Sequence, residues 1–307
     1  MKNYLIFTIL IVIFLCSSCT KEDPITPSTE VAFEILFKPE TDAHPLERKL
    51  FDTYGVWVRM DFKDSKEVYN SYLGQDIVNG RFPAQKVDES NRISAYQYMD
   101  TLLSNVSIDF CKQLMPNEIF FIKTYGHPAW GYQFYVVARN RLAFVWPNTT
   151  YGAQPIDDPA THYYRDSTLT RTVWGHLTKM IGDRITEEIP GFGKIGKPYD
   201  GGTAFTKIRD QYFVDYDREK RDVAWQKLAD QGGYLDAYSS FSYKEEFAGW
   251  LKLLTTESYE NIYNGYLKDN AMRRAKYILF VDYLKKVYKW DIQATGNKYR
   301  QQTDLYN

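Results

Sequence analysis

The chain has 307 residues, with 38 Lys and Arg against 39 Asp and Glu and a formal net charge of −1. So even a balance, with no basic stripe, argues against a nucleic-acid partner. Three Cys are too few for a disulfide framework, and roughly 275 residues beyond the leader can bury a substantial core as one large domain or two intimate lobes.

Lys2 precedes an apolar run from Tyr4 to Leu15, followed by Cys16-Ser17-Ser18-Cys19. A run of about a dozen residues is too short to span a bilayer and has the proportions of a signal peptide. Small residues just before a Cys form a lipobox, so cleavage before Cys19 and lipidation of its thiol are expected. Cys16 fits less well, because Leu15 would stand at the cut. Residues 1–18 are therefore read as a lipoprotein signal peptide and 19–30 as a lipidated tether, Thr20-Lys-Glu-Asp-Pro24 and then Pro, Thr and Ser. With Cys16 removed and Cys19 acylated only Cys111 remains, and it is read as a small buried hydrophobe.

The alternation in Val31–Phe37 predicts a strand, Leu46–Tyr54 a helix and Gly55–Phe62 a second strand. From Ile93, the apolar positions Tyr96, Met99, Leu103, Val106, Phe110 and Leu114 predict one long amphipathic helix, stopped by Pro116. Glu118–Lys123, Tyr132–Ala138 and Leu142–Trp146 read as strands of a mixed or antiparallel sheet. A helix follows from about Ser167, then a glycine-rich loop, Pro190–Gly202, and a mainly helical remainder with helices near Asp217–Asp230, Tyr243–Thr256 and Met272–Trp290. The expected class is α+β, with a 31–189 N-terminal α/β lobe and a 190–307 helical C-terminal lobe. Aromatic residues make up 17 %, including 26 Tyr and 7 Trp. Such a supply could stack on sugars or peptides, but serves equally well in cores.

Arg171–Ile185 has the form of a zinc-hydrolase helix. Val173, Trp174, Leu177, Met180, Ile181 and Ile185 share one apolar face at 100° per residue, with His176 at its edge. The H-E-x-x-H chemistry needs His at i and i+4 to grip one ion and a Glu after the first His as general base. Here the run is His176-Leu177-Thr178-Lys179-Met180, so Leu177 occupies the base position and Met180 that of the second ligand. Downstream, Tyr238–Gly249 contains Glu245-Glu246-Phe247-Ala248-Gly249, in which Glu245 and Gly249 share a helix face.

These features, with the lipobox and the Leu46–Val58 helix-to-strand segment, resemble the zinc metallohydrolase lipoproteins that Bacteroidetes encode beside TonB-linked nutrient importers. The resemblance implies a zincin-like fold in which a motif helix is followed by a helical lobe. It matches His176 to the first His ligand, Glu245 of an E-x-F-A-E helix to the acidic ligand, and Tyr238 to a tyrosine that stabilises the tetrahedral intermediate. Gly249 stands where the second Glu of that helix belongs. Lys21-Glu22-Asp23 after Cys19 resembles the surface-export signal of such lipoproteins, implying the outer face of the outer membrane. Partners implied are a TonB-linked transporter, its substrate-binding lipoprotein, and a peptide or glycan ligand.

A catalytic zinc needs three protein ligands and a water, whereas this motif offers two. A thioether is a weak zinc ligand, a tetrahedral zinc site is worth roughly 10–16 kcal/mol, and loss of the base costs a further ~10²–10⁴ in rate. The expected site is thus vestigial, with no cofactor and no hydrolysis. The alternative is an active zinc metallohydrolase completed by a residue such as His127 or His162. A plainer account makes His176 a helix-edge histidine hydrogen-bonded to Glu245, Tyr238 or Asp183, and Glu245 a polar residue near a helix start. A third possibility is a scaffold that contacts the importer and holds no ligand of its own.

Other groups carry weaker signals. Gly191-Phe-Gly-Lys-Ile-Gly196 fits G-x-G-x-x-G but lacks a preceding strand and a following helix, so it reads as a mobile loop beside the cleft. Asp157, Asp158 and His162 lie among prolines in a surface loop. His127 sits in a turn, where Tyr125 and Trp130 could be exposed for ligand stacking. No Ser-His-Asp or Cys-His nucleophile is readable.

Overall fold

The computed structural model describes residues 38–69, 83–124, 126–127, 131–132, 135–138, 141–147, 163–213 and 217–306. The expected signal peptide, the expected tether with Cys19, and the expected strand Val31–Phe37 lie outside the described residues. Among the described residues, no helix is long and apolar enough to cross a membrane. Residues Pro39–Asn307 form one compact unit, and the main hydrophobic cluster draws on residues from both sides of position 190, with two smaller clusters beside it.

Helix α1 (Pro45–Tyr54) starts at His44, whose Nδ1 accepts the Leu46 N–H at 3.2 Å while its ring stacks on Tyr96. It ends at Gly55, whose φ of 72° is the left-handed turn that glycine adopts without penalty. Strand β1 (Trp57–Arg59) and the short α2 (Ser65–Tyr69) follow, then β2 (Gln85–Lys86). The long helix expected from Ile93 to Leu114 is two helices, α3 (Glu89–Ser104) and α4 (Ile108–Leu114). The break comes at Ser107, whose hydroxyl accepts the Phe110 N–H at 3.1 Å and so starts a new helix.

The sheet is mixed. Strand β3 (Glu118–Thr124) lies parallel to both β1 and β7 (Arg141–Val145), and only β6 (Tyr135–Ala138) on β7 and β2 on β3 run antiparallel. The two-residue strands β4 (Gly126–His127) and β5 (Gly131–Tyr132) form a separate ribbon. The register opposes Glu118 to Trp57 on one side and Arg141 on the other. The buried Glu118 carboxylate binds Arg141 and, at 2.9 Å, Arg59, clamping three strands at one end. With helices filling the C-terminal half, the class is α+β.

Helix α5 (Ser167–Arg184) is capped by Asp166, which accepts the Leu169 N–H at 2.8 Å. After it come two short 3₁₀ turns, Phe192–Lys194 and Lys197–Tyr199, then α6 (Thr203–Phe213), α7 (Arg218–Gly232), a 3₁₀ turn Tyr238–Ser240 and α8 (Tyr243–Thr256). The chain ends with α9 (Tyr259–Ile262), a π-helical turn Tyr263–Leu267, α10 (Ala271–Tyr288) and α11 (Ile292–Thr303). Helices α5 and α8 pack antiparallel: Gly182 lies against Lys244 and Ala248, and Gly175 against Lys252. On the other side α11 approaches so closely that a Cβ on Gly296 would fall 2.3 Å from the carbonyl oxygens of Leu254 and Glu257.

Candidate functional site

The apolar face read from the sequence of α5 is the face that docks. Val173, Trp174, Leu177, Met180 and Ile181 are buried in the main core, with Leu177 at 0 % exposure. The base and second-ligand positions of a zinc motif are therefore packing positions here. His176 lies at the edge of that stripe, half-buried. Burial first, then the ammonium groups of Lys179 and Lys252, push its imidazole down to about 4. Lys179 is its neighbour three residues along the helix, and Lys252 reaches across from α8.

Glu245 is exposed in the first turn of α8, where its N–H donates to the capping Ser242 hydroxyl at 3.1 Å. The pairing of Gly175 with Lys252 and Gly182 with Lys244 sets His176 level with about residue 251. Glu245 then stands about six residues away, or about 9 Å along the axis. Glu245 is thus offset from His176 along the helix pair and exposed at the start of α8. Gly249, where a second Glu was sought, is half-buried with room beside it. Tyr238 opens the 3₁₀ turn Tyr238–Ser240, and its side chain lies outside the described residues.

The carboxylate turned inward is the next one, Glu246. It is 3 % exposed and accepts a 2.6 Å hydrogen bond from Lys276 Nζ of α10, itself fully buried and 3.7 Å from the Tyr234 ring centroid. Desolvation raises the Glu246 carboxyl to about 7 against the opposing pull of Lys276, and burial lowers the Lys276 ammonium. Glu246 faces a cavity of about 610 Å³ whose walls are the 188–202 loop, Tyr234, Ser239, Ser240 and the start of α8 with Tyr243. The glycine-rich loop thus folds into two turns that close a polar cavity. Lys197 and Asp200 on its rim pair at 2.8 Å. Sequence reasoning passed over Glu246 because its partner comes from a helix thirty residues on; only the adjacent carboxylates at 245 and 246 hinted at it.

Other expected positions carry less. Tyr125, Trp130, His162, Asp157, Asp158 and Cys19 lie outside the described residues, as does the side chain of His127. Cys111 is buried without a disulfide, and burial pushes its thiol up to about 12, so it is no nucleophile.

The zinc that the resemblance implies does not fit the residues described. A divalent ion set at His176 would meet two ammonium groups, a packed Leu177 and a packed thioether at Met180. Among the described residues, no three His, Cys, Asp or Glu gather where they could hold a metal.

No family model and no curated protein matches the chain. Among solved structures it is similar to a proposed zinc-binding metallo-peptidase from Bacteroides caccae ATCC 43185, with 13 % identity and a TM-score of 0.45. The match covers 86 % of this chain and 95 % of that chain.

Proposed function

We propose that this chain is a non-catalytic binding protein on a zincin-like frame, anchored in the outer membrane by lipid on Cys19 and facing the cell exterior. It serves as an accessory of a TonB-linked nutrient importer and receives a peptide or glycan. One observation carries the loss of catalysis: the positions a zinc motif needs beside His176 hold core side chains, and Lys179 and Lys252 bring two cations to bear on the imidazole. Coulomb repulsion between a dication and the two ammonium groups that act on the imidazole opposes metal entry before any ligand bond forms. The cavity in front of Glu246 supports the binding role. It combines hydroxyl groups of Ser239, Ser240 and Tyr243 with a buried carboxyl group, as small-molecule sites do.

The test uses purified protein and pools of fluorescence-quenched peptides, with and without added zinc. The proposal expects no cleavage in either condition. It also expects cavity ligands, found by thermal shift, to lose affinity in Ser240→Trp, which fills the site. Zinc-dependent cleavage would overturn the reading. For the anchor, Cys19→Ala should release the chain from the membrane fraction; retention of the variant there would refute lipidation.

A further inference from the structure

Across the 259–266 surface the sequence reads Tyr-Glu-Asn-Ile-Tyr-Asn-Gly-Tyr. Ile262 and Leu267 are buried and anchor the segment, while Tyr259, Tyr263 and Tyr266 stand 46 %, 39 % and 36 % exposed. The rings of Tyr259 and Tyr263 lie with centroids 6.0 Å apart and planes inclined by 33°, two neighbouring exposed rings that make an aromatic platform. The backbone beneath is fixed. Ser258 caps Asn261 at 3.2 Å, the Tyr259 N–H donates to Asn297 Oδ1 at 2.7 Å, and a π-helical bond joins Lys268 N–H to the Tyr263 carbonyl at 2.8 Å. Single π turns are uncommon and concentrate at functional sites. A Cβ on Gly265 would meet nothing within 4 Å, so packing does not demand a small residue there and the surface beside the rings stays open. Rigid exposed Tyr with intervening Asn and Gly is a composition suited to recognition, because the rings give contact area at low entropic cost and the amides adapt.

Beside this platform opens a second cavity of about 430 Å³, to which Tyr266 and Asn261 contribute together with Arg171, Asp236, Lys252 and Glu257. Glu257 fixes two planar groups there: it accepts from Arg171 Nη2 at 2.6 Å and from Asn261 Nδ2 at 3.0 Å. Two cations and two carboxylates leave the lining with no formal charge, so neither an acidic nor a basic ligand is selected. What the wall offers is a mixture of donors and acceptors in fixed orientations. A polyol satisfies both at once, whereas a peptide side chain would look for a deep apolar pocket, and only Leu235 and Leu253 are apolar among the larger lining side chains.

We propose that the Tyr259–Tyr263–Tyr266 platform and the adjoining Arg171–Glu257–Asn261 cavity form a binding site for a neutral oligosaccharide, with pyranose rings stacked on the tyrosines and hydroxyls bonded in the cavity. The site lies apart from Glu246 and holds whether or not His176 takes a metal, so its failure would leave the non-catalytic reading untouched.

Isothermal titration of the full chain with neutral gluco-, manno- and xylo-hexasaccharides tests it. At least one should bind, and Tyr263→Ala and Asn261→Ala should each weaken that binding by about tenfold or more, as truncated contact residues do. Tyr306→Ala, another exposed tyrosine, should leave Kd unchanged. Both tested side chains are exposed, and thermal melts check that the variants fold; should Tyr263→Ala melt early, Tyr266→Ala gives the same readout. No binding by any hexasaccharide at millimolar concentration, Kd values unchanged in the variants, or peptides captured through these tyrosines in place of saccharides would overturn the assignment.

Discussion

Breaking the buried Glu246–Lys276 pair from each side should give opposite dependences on pH. In Lys276→Met the carboxyl loses its 2.6 Å partner while remaining 3 % exposed. It can escape by taking a proton, at a cost set by how far solution pH lies above 4.5, its ordinary value. At 1.36 kcal/mol per pH unit the loss is capped at about 3 kcal/mol at pH 7 and under about 1 kcal/mol at pH 5. Glu246 is a group raised in the folded state, so this variant is best tolerated below the unfolded value and worsens as pH rises. In Glu246→Gln the stranded group is a fully buried ammonium, lowered in the folded state from 10.5. Discharging it costs at most about 5 kcal/mol at pH 7 and about 2 kcal/mol at pH 9, less whatever the Tyr234 ring returns. This variant improves as pH rises. The double variant Glu246→Leu/Lys276→Met should approach wild-type stability, since apolar replacements of buried pairs are often neutral or stabilising. Urea unfolding at pH 5.5, 7 and 8.5 reads all three. Parallel slopes in the two single variants would show that the pair is not sealed from water.

Leu177→Glu places a carboxyl in the core without a partner. It should cost about 4 kcal/mol or more at pH 7, from lost apolar burial and forced protonation together; a melting curve like wild type would mean α5 is not docked on that face. His176, held near 4 against 6.5 when unfolded, takes up its proton later than the unfolded chain does. Stability should therefore fall as pH drops from 6.5 towards 4, by about 1–2 kcal/mol once solvent screening is allowed for. His176→Gln should flatten that part of the stability curve, and an unchanged slope would assign it elsewhere. Gly296→Ala should destabilise by about 3 kcal/mol, because its Cβ would overlap two backbone carbonyls that cannot move independently. A neutral effect would place α11 farther from α8.

Much of the helical framework was legible because caps and apolar spacing act locally. Tyr243–Thr256 follows its sequence limits closely, with Ser242 in front and Phe247, Leu251 and Leu254 inward. The parallel pairing of β3 with β7 was hidden, since alternation marks a strand without choosing its neighbour. So was the break at Ser107, where continuous apolar spacing masked a capping hydroxyl. Helices α6 and α11 escaped notice because their apolar stripes are thin; α11 docks through Gly296, Thr295 and Thr303 as much as through large side chains. At the site, Lys179 stood in plain view beside His176, but Lys252 arrives from α8 and Lys276 from α10. Burial and Lys252 from α8 act on the imidazole together with Lys179, and Lys276 from α10 meets the inward glutamate, so one-dimensional spacing carries only part of either environment.

The central claim is that His176 sits in surroundings hostile to a dication. Zinc titrated into the metal-free full chain, followed by calorimetry and by the metal content after desalting, addresses it directly. The account predicts less than one tenth of a zinc retained per chain and no difference between wild type and His176→Ala, roughly as expected when a site lacks the ligands that make structural zinc tight. One zinc per chain, lost in His176→Ala, would contradict it.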